Sequence, residues 1–190
     1  SGVIQLYSTG QAFAALKADG SVVTWGDGNS GGYAGDPSNP ASAAAHLTSG
    51  VVRICSTGYA FAAIKADGSV VTWGSRNSGG NSLAVAGDLG TDSPDVVAIS
   101  STTNAFAALR SDGSVVVWGS GLTGVSSVAA HDIGSGVVQV FATDSAFAAL
   151  KDDGSVVAWG KTLYGGDASL VAGDLGADSP DVTTIASTTQ

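Results

Sequence analysis

The sequence has 190 residues, of which 28 are glycine, and only 12% of the residues are charged. Its formal net charge of −9 and its seven scattered Lys and Arg residues argue against binding to phosphate backbones or anionic lipids, so no nucleic acid is expected as a partner. No apolar run is long enough for membrane insertion, and the single cysteine, Cys55, excludes an intrachain disulfide.

The first predicted element is a half-buried strand over residues 3–9, in which hydrophobic and polar side chains alternate. The alternation predicts that Ile4 and Leu6 point one way and Gln5 the other. The pattern recurs at 51–57, 96–102, 137–143 and 182–188, where it places Val52 with Ile54, Val97 with Ile99, and Val138 with Val140.

A β-hairpin is predicted next, over residues 12–26, AFAALKADGSVVTWG, and near-identical segments follow at 60–74, 105–119 and 146–160. Asp-Gly favours a two-residue type I′ turn. Such a turn pairs Leu16 with Val23 and Ala14 with Trp25, so that Trp25 shares a face with Leu16. The recurring turn and tryptophan residues form a structural signature: Asp19, Gly20, Trp25, Asp67, Gly68, Trp73, Asp112, Gly113, Trp118, Asp153, Gly154 and Trp159.

Each hairpin is followed by a polar, glycine-rich connection, at 27–35, 75–82, 120–127 and 161–169. A short alanine-containing stretch comes next, such as 42–47 or 83–89, and its pattern fits either one helical turn or a fourth strand. The first and third connections resemble each other, as do the second and fourth, so the units alternate in type.

The repeat spacing predicts the architecture. Phe13, Phe61, Phe106 and Phe147 are separated by 48, 45 and 41 residues, a period typical of propellers, solenoids or arrays. We predict one all-β repeat domain over 1–190, with units at about 1–48, 49–93, 94–134 and 135–179 and an extra strand at 180–190. A propeller-like array is preferred, with a β-solenoid as the alternative, and the chain is expected to be a segment of a longer array.

The order Ala15-Leu16, Asp19-Gly20, Val22, Trp25-Gly26, Asn29 and Gly32 resembles the repeats of the regulator of chromosome condensation family. The resemblance covers nearly the whole chain. It implies a β-propeller in which each repeat supplies about one four-stranded blade. No nucleotide-exchange motif of that family can be placed on this sequence residue by residue.

Candidate metal ligands are few. The two histidines, His46 and His131, hold matching positions two units apart, and a surface position is expected for both. The densest carboxylate groups are Asp88, Asp92 and Asp95, mirrored by Asp174, Asp178 and Asp181. They suit either ordinary turns or Ca²⁺, so we expect no cofactor, with Ca²⁺ as the alternative.

Other recurring residues each have a structural interpretation. The turn aspartates are explained by the turns, and Lys17, Lys65, Arg110 and Lys151 by solvated strand ends. The tryptophans are expected in the core, with glycan stacking as the alternative. A row of Thr9, Thr57, Thr102, Thr143 and Thr188 would suit ice binding on a flat solenoid face, and Cys55 is interpreted as a space-filler.

No nucleophile–base pair or phosphate loop is found, so an enzyme is not expected. The extra strand leaves an open edge, which predicts a structural or adhesive extracellular module that associates with copies of itself, neighbouring repeats, proteins or glycans. The alternative is an intracellular regulatory protein-binding propeller, as the resemblance implies. An enzyme on a propeller scaffold would require Asp and His side chains to converge.

Overall fold

A computed structural model of the chain describes residues 2–36, 38–39, 42–93, 95–120, 133–176 and 182–186. These residues form four units, each a three-stranded antiparallel sheet. The strands are β1 Val3–Ser8, β2 Ala12–Lys17 and β3 Val22–Gly26 in unit 1, and β4 Val51–Ser56, β5 Ala60–Lys65 and β6 Val70–Gly74 in unit 2. Unit 3 contains β7 Val96–Ser101, β8 Ala105–Arg110 and β9 Val115–Gly119, and unit 4 contains β10 Val137–Ala142, β11 Ala146–Lys151 and β12 Val156–Gly160. The all-β array with one hairpin per unit is therefore confirmed.

The predicted hairpin turn is wrong by one residue. Leu16 pairs with Val22 and Phe13 with Trp25, and the backbone N–H of Lys17 donates to the Ser21 carbonyl at 2.9 Å. The loop thus contains three residues and ends on Gly20 at φ +75°, while no described non-glycine residue has a positive φ. A type I′ turn would need a positive φ at Asp19 as well. The shift places Trp25 on the same face as Phe13 instead of Leu16.

The predicted alternation of the first strand in each unit is also wrong, because a β-bulge interrupts it. The register shifts between Val51 and Arg53, and equivalent shifts occur in the other three units. Val51 and Ile54 are therefore buried, whereas Val52 is exposed. An extra residue in one strand reverses the faces that follow it. Val97 and Val138 are exposed for the same reason.

The alanine-containing stretches are helical turns in the units where the structure describes them. Residues Ala43–His46 form a short α-helix, and Leu83–Asp88 form a 3₁₀ segment. In unit 4 a 3₁₀ turn over Ser169–Val171 leads into a helix over Ala172–Leu175. The sheets of the described residues thus have three strands rather than the four implied by the resemblance. None of the described helices has the length and apolar character required to cross a membrane.

Each sheet has two different faces. The aromatic face carries, in unit 1, Leu6, Phe13, Val23 and Trp25, whereas the alanine face carries Ala12, Ala14 and Leu16. The hydrophobic cores lie between the units: the aromatic face of each unit packs on the alanine face of the preceding one. The core between units 1 and 2 joins Ala12, Ala14 and Leu16 to Ile54, Phe61, Ala63 and Trp73, and equivalent clusters join units 2 and 3 and units 3 and 4.

The predicted extra strand is not observed as a strand over 182–186, and the rest of 180–190 lies outside the described residues. Nevertheless, the Val182 N–H donates to the Gly154 carbonyl at 3.3 Å. The first strands of units 2, 3 and 4 begin with the same bond, from Val51 to Gly20, Val96 to Gly68 and Val137 to Gly113. Segment 182–186 therefore starts where the first strand of a further unit would start.

Candidate functional site: unit faces and connections

The hairpin turns are closed by a carboxylate. The Asp19 Oδ1 atom accepts hydrogen bonds from the Ser21 hydroxyl at 2.6 Å and the Ser21 backbone N–H at 3.0 Å. These two bonds, with a smaller contribution from Lys17, hold the pKa of Asp19 at about 2. The serine two residues onward likewise lowers the pKa of Asp67, Asp112 and Asp153. Each turn aspartate is therefore engaged within its own loop.

A tryptophan and a glycine join successive units. The Trp73 indole N–H donates to the Gly31 carbonyl at 3.1 Å, and the Trp118 indole N–H donates to the Gly79 carbonyl at 2.9 Å. These glycines follow the 3₁₀ turns Gly28–Ser30 and Arg76–Ser78 and have φ near +93°. A Cβ atom at Gly31 would lie 2.6 Å from the Phe61 ring, so the stacked Phe61 and Trp73 rings require glycine there.

The stacked aromatic pair recurs in unit 4. Trp159 is fully buried and stacked on Phe147. Its indole nitrogen has no hydrogen-bond partner among the described residues, and the equivalent glycine, Gly124, lies outside them. A recurring glycine six residues after Trp25, Trp73, Trp118 and Trp159 could have revealed these acceptors in the sequence. This glycine was not among the predicted signature residues.

The aromatic face of unit 1 is exposed. Phe13 and Trp25 are stacked at 5.4 Å between ring centroids but remain 47% and 44% exposed, whereas Phe61 and Trp73 are 0% and 3% exposed. Leu6 and Val23 on the same face are exposed as well. Three of the four tryptophans are thus core residues, and Trp25 is a surface residue.

The alanine face of unit 4 borders an apolar groove of about 180 Å³. Its walls include Thr143, Ala148, Tyr164, Gly165 and Ile185. Gly165 has the same backbone conformation as Gly31, at φ +95°, but a Cβ atom added there would meet nothing within 4 Å. The position that receives Phe61 in unit 1 is therefore filled by no described residue in unit 4.

The threonine row does not form a surface for ice. Thr57 and Thr102 are buried, and the Thr57 hydroxyl donates to the Ser78 carbonyl at 3.0 Å and accepts from the Ala60 N–H at 3.0 Å. Thr9 and Thr143 make equivalent contacts, and Thr188 lies outside the described residues. These side chains join the first strand of a unit to its own 3₁₀ turn.

Hydroxyl and thiol groups also link the first strands of neighbouring units. The Cys55 thiol donates to the Ile99 carbonyl at 3.4 Å, and the Ser100 hydroxyl donates to the Val140 carbonyl at 2.7 Å. Burial raises the pKa of the Cys55 thiol. A protonated thiol is a poor nucleophile, so Cys55 is not activated as a reactive residue. Its packed position agrees with the interpretation of Cys55 as a space-filler.

No group of three potential metal-ligating side chains occurs within the described parts of the chain. Asp88 instead pairs with the Arg110 guanidinium at 3.4 Å, and His46 ends the short helix Ala43–His46. His131, Asp178 and Asp181 lie outside the described residues. Calcium binding therefore stays a prediction.

The connections expose large apolar side chains. Leu83, Leu163 and Leu170 are 82%, 93% and 100% exposed, and Tyr33 and Tyr164 are also largely exposed. Exposed aspartates lie in the same segments: Asp27 and Asp36 beside Tyr33, Asp88 beside Leu83, and Asp167 and Asp174 beside Leu170. The connections thus combine apolar and acidic surface.

A polar groove of about 680 Å³ separates the helix Ala43–His46 from the connection of unit 2. Lys65, Asp67, Arg76 and Asn81 lie along it, so both charge signs are present. This mixed lining defines no single ligand chemistry.

Neither a protein family nor a curated protein matches the sequence. Solved structures do match. Human WBSCR16 aligns with 87% of this chain and 50% of its own length at 23% identity and a TM-score of 0.57. Prp20p from Saccharomyces cerevisiae, the yeast RCC1, aligns with 85% of this chain and 45% of its own at 18% identity and a TM-score of 0.58. The ectodomain of the Arabidopsis thaliana receptor kinase ACR4 aligns with 83% of this chain and 50% of its own, at 19% identity and a TM-score of 0.51.

These similarities define the class of fold: the chain is an all-β, propeller-like repeat array. More particularly, it is a divergent form of the RCC1-type repeat fold, as the resemblance in the sequence implied. The chain spans about half the length of these structures.

Proposed function

We propose that the chain is a non-enzymatic protein-binding module that recognises a basic protein partner through the connections between its units. The observation that carries this proposal is the exposure of Leu83, Leu163 and Leu170 in connections that also contain exposed aspartates, on an otherwise regular scaffold. Loops held by a rigid scaffold commonly provide the recognition surface of a repeat protein.

The division between hairpins and connections supports this role. The hairpins are nearly identical in the four units, and most of their apolar side chains are used in packing. The connections differ from one unit to the next in sequence and in exposed side chains. A surface that varies on a constant frame can distinguish one partner from another.

The charge of the chain indicates the kind of partner. All 16 acidic residues are aspartates, and the formal net charge is −9. Complementary charge accelerates association and suppresses wrong partners. Prp20p, which shares the fold at 18% identity, has been studied for its binding to Gsp1p and histones. Histones are strongly basic and therefore make a suitable probe.

The turn aspartates and the cysteine are engaged in local contacts, which supports a binding role. The turn aspartates, including Asp19 and Asp112, each accept hydrogen bonds from a serine in the same loop. The half-buried Cys55 thiol has a raised pKa and contacts a carbonyl. Neither arrangement activates a nucleophile.

The test is titration of the purified chain with a folded heterodimer of core histones, followed by fluorescence anisotropy at several salt concentrations. We expect binding that weakens as salt rises, and that weakens further in the double variant Leu163→Ser, Leu170→Ser. The matched control is Val52→Ser, which changes an exposed valine on a strand rather than in a connection.

Absence of histone binding at low salt, or equal loss of binding in the Val52→Ser control, would contradict the proposal. Lysozyme, a basic protein of unrelated shape, separates recognition from general charge attraction. Equal affinity for both basic proteins would show that no specific surface is present.

A second candidate is a structural module that associates with copies of itself. The exposed aromatic face of unit 1 favours it. An extracellular location is a separate proposal. The fold itself favours no compartment, since similar structures include both Prp20p and a receptor-kinase ectodomain. Localisation of the tagged protein in its own cells tests it.

A further inference from the structure

Three cores of the same design join the four units. In each one Phe and Trp of the later unit pack against the alanine face of the earlier unit. Two halves of this interface pack against no described unit: the aromatic face of unit 1, which is exposed, and the alanine face of unit 4, where Ala148 is half-buried while Ala146 and Leu150 are buried. We propose that these two faces bind each other between two copies of this chain and reproduce the internal interface.

The receiving half is already formed in unit 4. The 3₁₀ turn Thr162–Tyr164 ends at Gly165 with the left-handed conformation that Gly31 and Gly79 adopt after their own turns. At Gly31 and Gly79 the space above the glycine is filled by Phe61 and Phe106, whereas at Gly165 no described residue fills it. The Gly165 carbonyl corresponds to the acceptors of the Trp73 and Trp118 indole N–H groups.

The inserting half is formed in unit 1. Phe13 and Trp25 are stacked at 5.4 Å and 19°, close to the 5.2 Å and 23° of Phe61 and Trp73. Burial of Phe13, Trp25, Leu6 and Val23 would remove a contiguous apolar patch from water. Exposed patches of this kind commonly mark interaction sites. The Trp25 indole N–H of one copy would then donate to Gly165 of the other.

Backbone groups at the two ends match in the same way. The Gly58 N–H donates to the Thr103 carbonyl and the Thr103 N–H to the Asp144 carbonyl, each between neighbouring units. The next bond in this series runs from the Asp144 N–H to Gly10 of the second copy. The Ser8 hydroxyl would bond the Ala142 carbonyl, as the Ser56 hydroxyl bonds the Ser8 carbonyl within the chain. The second copy is therefore the occupant that continues an interface already present three times.

Segment 182–186 competes for this place. The Val182 N–H donates to the Gly154 carbonyl, which is the bond that the first strand of a docked unit would make. Ile185 of the same segment lines the groove. Residues 183–186 make no backbone hydrogen bond to the described parts of the chain. Docking of a second copy brings β1 to this position, so the segment must leave. Removal of residues 182–190 should therefore strengthen association.

An interface between two different faces is heterologous, and it produces a closed ring or an open array. In a closed pair each copy supplies both the aromatic face of unit 1 and the alanine face of unit 4, and this is the product that we expect. This inference does not rest on the histone-binding proposal, because it uses Phe13, Trp25, Ala148 and Gly165 rather than the exposed leucines of the connections.

The test uses sedimentation velocity on dilution series of the 190-residue chain and of a chain ending at residue 181. We expect a monomer–dimer equilibrium, with tighter association in the shortened chain. The donor variant Trp25→Ala and the acceptor variant Ala148→Gln should each weaken association about tenfold or more. The control Val97→Ala changes an exposed side chain away from both faces and should associate normally.

A mixture of the two variants gives the sharpest result. In the mixture, the groove of the Trp25→Ala chain is unchanged and can still bind the unchanged aromatic face of the Ala148→Gln chain. We expect heterodimers in the mixture and monomers in each variant alone. Circular dichroism establishes that the variants are folded, and the comparison of the 190-residue and 181-residue chains needs neither variant.

Monomers at every concentration, in both the complete and the shortened chain, would overturn the proposal. Association that persists unchanged in Trp25→Ala and Ala148→Gln would overturn it as well, because the contact would then lie elsewhere. Failure of histone binding leaves this result unaffected.

Discussion

Units 1 and 2 differ in one residue of their fifteen-residue hairpins, Leu16 against Ile64, yet their aromatic faces have opposite surroundings. Phe61 and Trp73 are buried against unit 1, whereas Phe13 and Trp25 are half-exposed. The sequence of a repeat therefore defines its hairpin, but the neighbouring unit decides whether its aromatic pair is core or surface. In an array of this kind, stability comes from the interface between units as much as from each unit.

The largest expected effect is the difference between two identical substitutions in these units. Trp73→Ala should lower the unfolding free energy by about 3–5 kcal/mol, because it empties a packed core and leaves the Gly31 carbonyl without its indole donor. Trp25→Ala removes mainly the stacked contact with Phe13, worth about 0.5–1.5 kcal/mol. Urea unfolding at low protein concentration measures both, and equal losses would contradict the comparison.

A second pair of substitutions separates backbone strain from packing. Gly31 and Gly165 have nearly the same φ, so alanine at either one has a strain penalty of about 1–2 kcal/mol. Gly31→Ala also displaces the Phe61 ring and should lower the unfolding free energy by a further 1–3 kcal/mol or so. Thermal unfolding of the two variants gives the difference directly, and a larger loss in Gly165→Ala would contradict it.

The hairpin turns should behave alike in all units. The Ser21 hydroxyl and N–H hold the pKa of Asp19 at about 2, below the value of about 3.9 for an unfolded chain. The turn therefore contributes its full stabilisation above about pH 4, and the contribution is lost as pH falls toward 2. Carboxyl NMR titration should show that Ser21→Ala raises the Asp19 midpoint, and an unchanged midpoint would exclude the serine as the cause.

The smallest effect is expected at Cys55. Burial raises the pKa of its thiol, so labelling with a thiol reagent at neutral pH should be slower than labelling of an unfolded control. Cys55→Ser should change the unfolding free energy by less than about 1 kcal/mol, because Ser100 makes the equivalent bond to Val140. Rapid labelling of the folded chain would contradict the assigned burial.

The repeat period and the Asp-Gly pairs were sufficient to predict four hairpins and an all-β array. They were insufficient for the register, because Asp-Gly also suits a three-residue loop in which only Gly20 has a positive φ. The Ser21 hydroxyl bonds Asp19 and so favours that loop. A one-residue shift of register then moves the Trp25 side chain to the other face of the sheet. Local preference alone does not determine this choice.

The candidate site was harder to predict than the fold. Alternation placed Val52 on the buried face, but the β-bulge beside Arg53 reverses it, and the strand sequence contains no signal for the bulge. The exposure of Trp25 depends on which units lie beside it, which no local pattern records. The recurring glycines six residues after each tryptophan did contain a signal for the inter-unit contact.

The near-identity of the four hairpins has a consequence for folding. Every first strand pairs with its hairpin in the same register, including the same bulge, so a strand of one unit is an acceptable partner for the hairpin of another. Refolding from denaturant should pass through shuffled pairings, since misassembly between like modules is a characteristic failure of repeat proteins. Slow correction of these swapped forms would lower the yield of native protein after refolding.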